Sequence, residues 1–266
     1  MQTAIIKTDD DWEALAARLE EARDCLMNLG TTEMLTKAMM EVFPGEIAVV
    51  SSFGAEAAVL LDHIARVDAS APVLFLDTGK HFPETLDYRD MLVDRLGLRN
   101  VRTQIPSFNA VAEEDPDSRL WHRDADHCCD IRKVRPLETA LGPYNAWISG
   151  RKRFQSSFRQ SLSPVEIENG RLKLNPLADW TAEDIEGYFD NYGLPRHPLW
   201  EDGYLSIGCA VCTKKPVNLE DARSGRWANL SKSECGIHNG KRRNQSSGFS
   251  PFPAVPAAPI VPAAND

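Results

Sequence analysis

The chain has 266 residues, enough for one large domain with a substantial core. Hydrophobic residues make up 42% and charged residues 26%, a globular balance, and no stretch approaches eighteen apolar residues, so no membrane span is expected. With 30 Lys/Arg against 39 Asp/Glu the net charge is −9, which argues against a broad electrostatic grip on nucleic acid while leaving room for a local basic patch.

The N-terminal MQTAIIKTDDDW has no basic region ahead of an apolar run and does not read as a secretory signal. Trp12, Leu15, Leu19, Ala22, Leu26 and Leu29 recur every three or four residues and predict an amphipathic helix. Cys25 flanks that stripe and reads as a small core residue. A short second helix is expected after Thr32 as its N-cap. The pattern then changes. Residues 46–51 (EIAVVS), 72–77 (PVLFLD), 100–105 and 145–149 (NAWIS) read as strands. Between them, residues 56–67, 84–96 and about 131–141 read as helices. Short apolar strands alternating with helices imply an α/β fold, a mainly parallel sheet with helices on both faces. Ligands of such sheets bind beyond the carboxyl ends of the strands. Residues 165–167 and 172–174 flank Asn169-Gly170, a hairpin signal. Thr181 and Asp184 come near to a capping box for a further short helix. From Pro195 onward turns and basic residues dominate. Residues 244–266 hold five Pro and five Ala and predict a disordered tail.

Charge is unevenly spread. Residues 128–159 carry seven Lys/Arg against two Asp/Glu, and residues 205–243 carry eight against three. Two basic segments in an acidic protein suggest one small anionic ligand held between them, or two solvated loops. The six cysteines are Cys25, Cys128, Cys129, Cys209, Cys212 and Cys235. A chain of this size needs no disulfide staples, and adjacent Cys128-Cys129 cannot easily bridge each other. A reducing compartment is expected, with thiolates bound to metal or used in chemistry.

Four motifs bear on that chemistry. In SSFGAE (51–56), Ser51, Ser52 and Gly54 permit a tight turn whose N–H groups converge at a helix N-terminus; such a turn binds phosphate or sulfate, or simply connects. It lacks the lysine and paired glycines of a P-loop. Asp77, Thr78 and Gly79 end the next strand on the same sheet edge, where Asp77 either accepts from a nucleoside or caps a turn. Cys128-Cys129 with Cys209-x-x-Cys212 make a four-thiolate shell for zinc or a [4Fe–4S] cluster. Consecutive cysteines are awkward around one small ion, which favours the cluster. Cys235, in ECGIH (234–238), is then the free thiol. Lys232, Lys241, Arg242 and Arg243 lie near it in sequence, and positive neighbours favour a nucleophilic thiolate.

Together these residues resemble the assimilatory adenylyl-sulfate (APS) reductases, within the wider phosphoadenylyl-sulfate (PAPS) reductase family. The resemblance runs from about Ser51 to His238. It rests on SSFGAE, LDTGKHFPET, CCDIRKVRPL, GRKRFQSSFR, KLNPLADWT, GCAVCT and ECGIH. It implies an adenine-nucleotide alpha-hydrolase-like fold related to the PP-loop pyrophosphatases, with SSFGAE a degenerate form of their SGGxDS loop. One reductase domain would span 1–243, with N-terminal helices over 1–45 and the cluster and catalytic-cysteine segment over 205–243, before the tail. The resemblance further implies a [4Fe–4S] cluster on Cys128, Cys129, Cys209 and Cys212, and Cys235 as nucleophile. PAPS-specific members usually lack the four cysteines, so APS is the expected substrate. Lys133 matches the lysine between cluster and substrate. Arg223 and Arg226 match the pair on the substrate's anionic groups, and Arg153 and Arg159 fall in a mobile arginine loop. Lys152 stands where arginine is common and Phe154 where an acid is common.

The implied reaction is APS plus reduced thioredoxin, or a glutaredoxin-like donor, giving sulfite, AMP and oxidised donor, in sulfate assimilation and cysteine biosynthesis. Gly236 and Gly240 would let the cysteine segment travel between substrate and donor. The expected setting is cytoplasmic, with no nucleic acid and no membrane as partners, and the oligomeric state is left open. The alternatives are a PAPS reductase of the same chemistry, a PP-loop sulfurtransferase or ATP-dependent adenylating enzyme, and a non-enzymatic iron–sulfur or zinc regulator.

Overall fold

A computed structural model describes residues 9–218, 221–227, 232 and 234–238 of the chain. The readings that fall on residues 1–8, on Gly240, Lys241, Arg242 and Arg243, and on the Pro/Ala tail lie outside the described residues. In chain order the elements are α1 (Asp9–Leu26), α2 (Thr31–Lys37), β1 (Ile47–Ser51), α3 (Ala57–Asp68), β2 (Val73–Leu76), α4 (Pro83–Leu96), β3 (Val101–Gln104), α5 (Phe108–Glu114), α6 (Leu120–Arg123), α7 (Ala125–Cys129), α8 (Arg135–Ala140), β4 (Ala146–Ser149), β5 (Val165–Glu168), β6 (Arg171–Leu174), α9 (Ala182–Tyr192) and α10 (Pro198–Glu201).

The six strands form one sheet in the order β3-β2-β1-β4-β6-β5. All neighbours are parallel except β5 and β6, which form the expected hairpin. Its turn residues, Asn169 and Gly170, both have positive φ (52° and 71°), as a two-residue hairpin of this kind requires. Side-chain alternation divides the apolar residues into two layers. Ile47, Val49, Val73, Phe75, Ala146, Ile148, Leu172 and Leu174 pack under α1 to α4 and α9 in the larger core. Ala48, Leu74, Leu76 and Trp147 face the other way, onto Leu137, Leu141 and Tyr144 at the end of α8. Continuous apolar strands buried on both faces are the expected signature of a parallel sheet covered on two sides. Among the described residues no helix is long and apolar enough to cross a membrane.

Several local expectations are corrected. Cys25 is not in the core: it is exposed, its Sγ reaching only the Ala22 carbonyl one turn back at 3.3 Å. The N-cap of α2 is Gly30 rather than Thr32. Thr31 and Thr32 face neighbours instead, with Thr31 Oγ1 donating to the Pro176 carbonyl and Thr32 Oγ1 3.4 Å from His63 Nδ1. The helix expected at 131–141 starts earlier and is broken: α7 ends at Cys129, a π-helical turn covers Asp130–Val134, and α8 follows. Ahead of α9, Thr181 and Asp184 form a complete capping box, each side chain accepting from the other's backbone N–H.

α10 brings one buried histidine with it. His197 is 0% exposed; its Nδ1 accepts from the Leu199 N–H at 3.2 Å, which fixes the proton on Nε2, 3.0 Å from Thr85 Oγ1. Burial pulls its pKa down to about 4. Between that value and about 6.5 the unfolded chain holds a proton that the folded chain does not, so stability rises with pH through this window and is lost as pH falls through it. Urea midpoints measured from pH 7 to pH 4 are expected to fall, and His197→Asn to flatten that slope.

Candidate active site

The strand order reverses about β1, whose neighbours β2 and β4 lie on opposite sides; the carboxyl ends of the three strands open on one cavity, the place such sheets use for ligands. SSFGAE forms its floor. Ser51 Oγ accepts from the Phe53 N–H at 3.2 Å, and Phe53 sits at φ 48°, a conformation costly for a bulky side chain and common at functional turns. Gly54 is required by close approach: a Cβ there would stand 3.1 Å from the Ile207 carbonyl. No side chain caps the start of α3; its first N–H, of Ala57, donates to the Gly54 carbonyl at 3.0 Å, and Ala57 lines the cavity. Ser51, Ser52 and Gly54 all line it, as expected.

The loop after β4 supplies much of the positive charge. Arg151, Lys152 and Arg159 are buried there. Lys152, at the position where arginine is common, is 2% exposed; its Nζ donates to Glu56 at 2.7 Å and to the Gly150 carbonyl at 3.0 Å, and Gln155 Nε2 donates to the same Glu56 oxygen. A lysine fits this point contact where an arginine fork is not needed. Arg223 and Arg226 arrive from the second basic segment and line the same cavity, so the two basic stretches do meet. Burial, with the Arg159 and Arg226 guanidinium groups close by, pushes Arg223 below its ordinary range, and Glu234 works against that shift. Gly208 accommodates Arg226, whose guanidinium carbon would lie 2.5 Å from any added Cβ.

Cys235 is half-buried and lines the cavity with Lys133. Burial works against charge on Lys133, but the thiols of Cys209, Cys235 and Cys129 outweigh it and raise the amine above its usual value. Gly236, the next residue, packs so closely on the π-helical turn that a Cβ would touch Val134 at 3.1 Å. His238 stacks on Trp147, rings 5.9 Å apart and 8° from parallel. Glu234 takes the Arg159 and Arg223 guanidinium groups on its two oxygens.

Cys128, Cys129, Cys209 and Cys212 gather beside this cavity around a small space of their own, with Thr78, Arg132, Lys133 and Trp227 on its walls. All four thiols are free, three are buried, and burial raises Cys128 to about 11. Cys209 goes the other way: burial would raise it, but Lys133, the Thr78 hydroxyl at 3.3 Å and Arg226 hold it low. Cys128 is seated by Leu120 and Ile131. Arg132, in the π-helical turn, donates to the Thr78 carbonyl at 2.8 Å and to buried Asp115 at 2.7 Å. Among the described residues no three His, Cys, Asp or Glu side chains are disposed to hold a single metal ion.

Two groups of expected substrate residues lie elsewhere. Asp77 and Gly79 close an Asx turn on themselves, the Gly79 N–H on Asp77 Oδ1 at 2.9 Å, and Thr78 turns to Cys209; none of the three lines the cavity. Arg153 points away, donating to the Leu162 carbonyl at 2.8 Å and pairing with Asp179. Sequence reasoning in turn missed His81. Its Nε2 donates to the Leu76 carbonyl at 2.9 Å, leaving a buried Nδ1 without a partner on the cavity wall. Only its place in LDTGKHFPET pointed to it.

Comparison with known proteins bears on this arrangement. The phosphoadenosine phosphosulfate reductase domain matches residues 46–215, from β1 through the CxxC segment. The chain belongs to that family. It is 49% identical to the adenosine 5'-phosphosulfate reductase of Mesorhizobium japonicum over 230 residues, covering 86% of this chain and 89% of that one. It is also 39% identical to the phosphoadenosine 5'-phosphosulfate reductase of Gloeobacter violaceus, over 77% of this chain and 88% of that one. A solved phosphoadenylyl-sulfate reductase from Candida auris, in a phosphate complex, superposes with a TM-score of 0.60 at 26% identity, over 79% of this chain and all of that one. The adenine-nucleotide alpha-hydrolase-like sheet expected from the sequence is thus the fold observed.

Proposed function

We propose that this protein reduces adenylyl sulfate to sulfite and AMP through a sulfonated Cys235, drawing electrons from a dithiol protein of the thioredoxin type. The observation that carries this reading is the separation of thiols. Four sit together in their own nest, while Cys235 stands apart in the strand-end cavity among Lys133, Arg159, Arg223 and Arg226. A metal nest and a lone accessible nucleophile are different tools, and the chain has one of each.

The chemistry follows from the cavity. The Cys235 thiolate attacks the sulfur of the sulfuryl group; an S–S bond forms, the S–O bond to the phosphate breaks, and AMP leaves with the electron pair. AMP departs readily because its phosphate is a weak base. A thiolate meeting an anion is repelled, and Lys133, Arg223 and Arg226 offset that repulsion and take up charge passing to AMP. Ser51, Ser52 and Gly54, with the start of α3 that no side chain caps, bind the phosphate. A donor thiolate then attacks the Cys235 sulfur and expels sulfite, and the donor's second thiol resolves the mixed disulfide, returning the Cys235 thiol and oxidised donor.

The thiol nest fits a [4Fe–4S] cluster held by Cys128, Cys129, Cys209 and Cys212: four sulfurs outside any disulfide would ligate it, and Lys133 beside them would offset its negative charge. Bound there, the cluster would supply a fixed electrostatic field beside the substrate. Thr78 and Arg132 would orient the cysteines rather than touch nucleotide. A reducing, cytoplasmic setting accords with six cysteines that form no disulfide, and one domain over 1–243 belongs to the same proposal.

The test is mass spectrometry of the anaerobic protein after incubation with APS and no reductant. The peptide containing Cys235 is expected to gain one SO3 group, released as sulfite on adding reduced thioredoxin. A parallel incubation with PAPS separates the two nucleotides. An unmodified Cys235 peptide after APS would overturn the reading.

A further inference from the structure

Glu234 has no part in the bond-making steps above, yet it is 3% exposed and stands one residue from the nucleophile. Its two carboxylate oxygens are both claimed by guanidinium groups: Oε1 by Arg159 Nε, and Oε2 by Arg223 Nη2 at 3.0 Å. Those arginines come from separate parts of the chain, the turn after β4 and the second basic segment. An oxyanion between two guanidinium groups is the same recognition that sulfate or phosphate receives from arginines. Two of the cations proposed to meet the substrate are therefore already spoken for when no ligand is present.

We infer that Glu234 is an internal competitor for the substrate's anion site, clasping the Cys235 segment into the cavity through Arg159 and Arg223 until the nucleotide's anionic group displaces it. This rests on the function proposed above. Displacement has a structural consequence, because a carboxylate deprived of its guanidinium partners cannot stay buried. Residue 234 then moves toward water. The segment remains held at Gly236 against Val134, at Ile237 against the layer of Leu76, Leu137 and Trp147, and at His238 on Trp147. Cys235 stays by the substrate while its segment is loosened for the later journey to the thiol donor. Competition is reciprocal: whatever tightens the clasp weakens nucleotide binding by the same factor. Glu234 is a positioning residue on this scheme and touches no reacting atom.

The experiment compares the full-length protein with Glu234→Gln, which keeps the shape and removes the charge. AMP affinity is measured by calorimetry. Alkylation of Cys235 by iodoacetamide is followed on its peptide with and without saturating AMP, which leaves the sulfuryl position vacant. E234Q is expected to bind AMP about tenfold more tightly, equivalent to about 1.4 kcal/mol. In the wild type AMP is expected to speed alkylation of Cys235, whereas E234Q reacts fast already and gains nothing from AMP. A residue that merely held the fold together would weaken AMP binding when replaced. Equal or weaker binding by E234Q overturns the inference, as does wild-type alkylation that AMP slows or leaves unchanged. The wild-type measurement stands even should the variant fold poorly. Sulfonation of the wild type by APS separates the two ideas: with sulfonation present and the clasp results absent, only the clasp fails; with sulfonation absent, the proposed reaction fails.

Discussion

Cys235→Ser is expected to release no sulfite from APS, a loss of at least about 10^4-fold, while binding AMP as the wild type does. The reason is geometric. Cys235 is the thiol that lines the strand-end cavity, while the four thiols of the nest open on a separate space. A serine hydroxyl at that point is nearly isosteric, so the contacts of Gly236 with Val134 and of His238 with Trp147 persist. Its oxygen is not an acceptor that a donor thiolate can later relieve of sulfite. Sulfite assay and AMP calorimetry on one preparation check both parts. Sulfite formed at the wild-type rate would remove Cys235 from its role.

Lys133→Ala carries the second large effect. Single-turnover sulfonation of Cys235 is expected to slow by roughly 10^2- to 10^3-fold, the usual result of deleting one charge-stabilising donor in a water-poor site. AMP affinity should change far less, because Ser51, Ser52, Gly54, Arg223 and Arg226 remain in the cavity. Lys133 lines both the strand-end cavity and the thiol nest, so its charge lies beside Cys235 and between the two spaces. Rapid-quench measurement of the sulfonated Cys235 peptide separates this from a binding defect. An unaltered rate, with binding weakened instead, would make Lys133 a nucleotide contact only.

Much of this arrangement is legible in the amino-acid sequence. The strands, their order in the chain, the Asn169-Gly170 hairpin and the division of five cysteines into a group of four and Cys235 are all written in local pattern: apolar runs, a turn dipeptide, residue spacing. The convergence of the two basic segments was foreshadowed by charge alone. What local pattern could not carry was direction. Thr78 and Arg153 have suitable chemistry and suitable sequence neighbours, but one turns to Cys209 and the other to Asp179. Those choices are made by partners 131 and 26 residues away. Lys152 stands where arginine is common, and its role follows only from its pairing with Glu56 of the first motif, 96 residues away. The helices α5 to α7 escaped because none exceeds seven residues, too few for periodicity to show.

Cys209 belongs to two structures at once. It is a member of the thiol nest, and it also pairs backbone to backbone with His81 beside the nucleotide cavity, while the next residue, Ala210, donates its N–H to the Lys80 carbonyl at 2.8 Å. Thr78 and Arg132 brace the same corner. Damage to the nest by air would therefore not stay local. Oxidation of Cys209 would pull on the tip of β2 and on the wall holding His81, so ageing of a preparation in oxygen should show itself as fading nucleotide affinity well before the molecule unfolds.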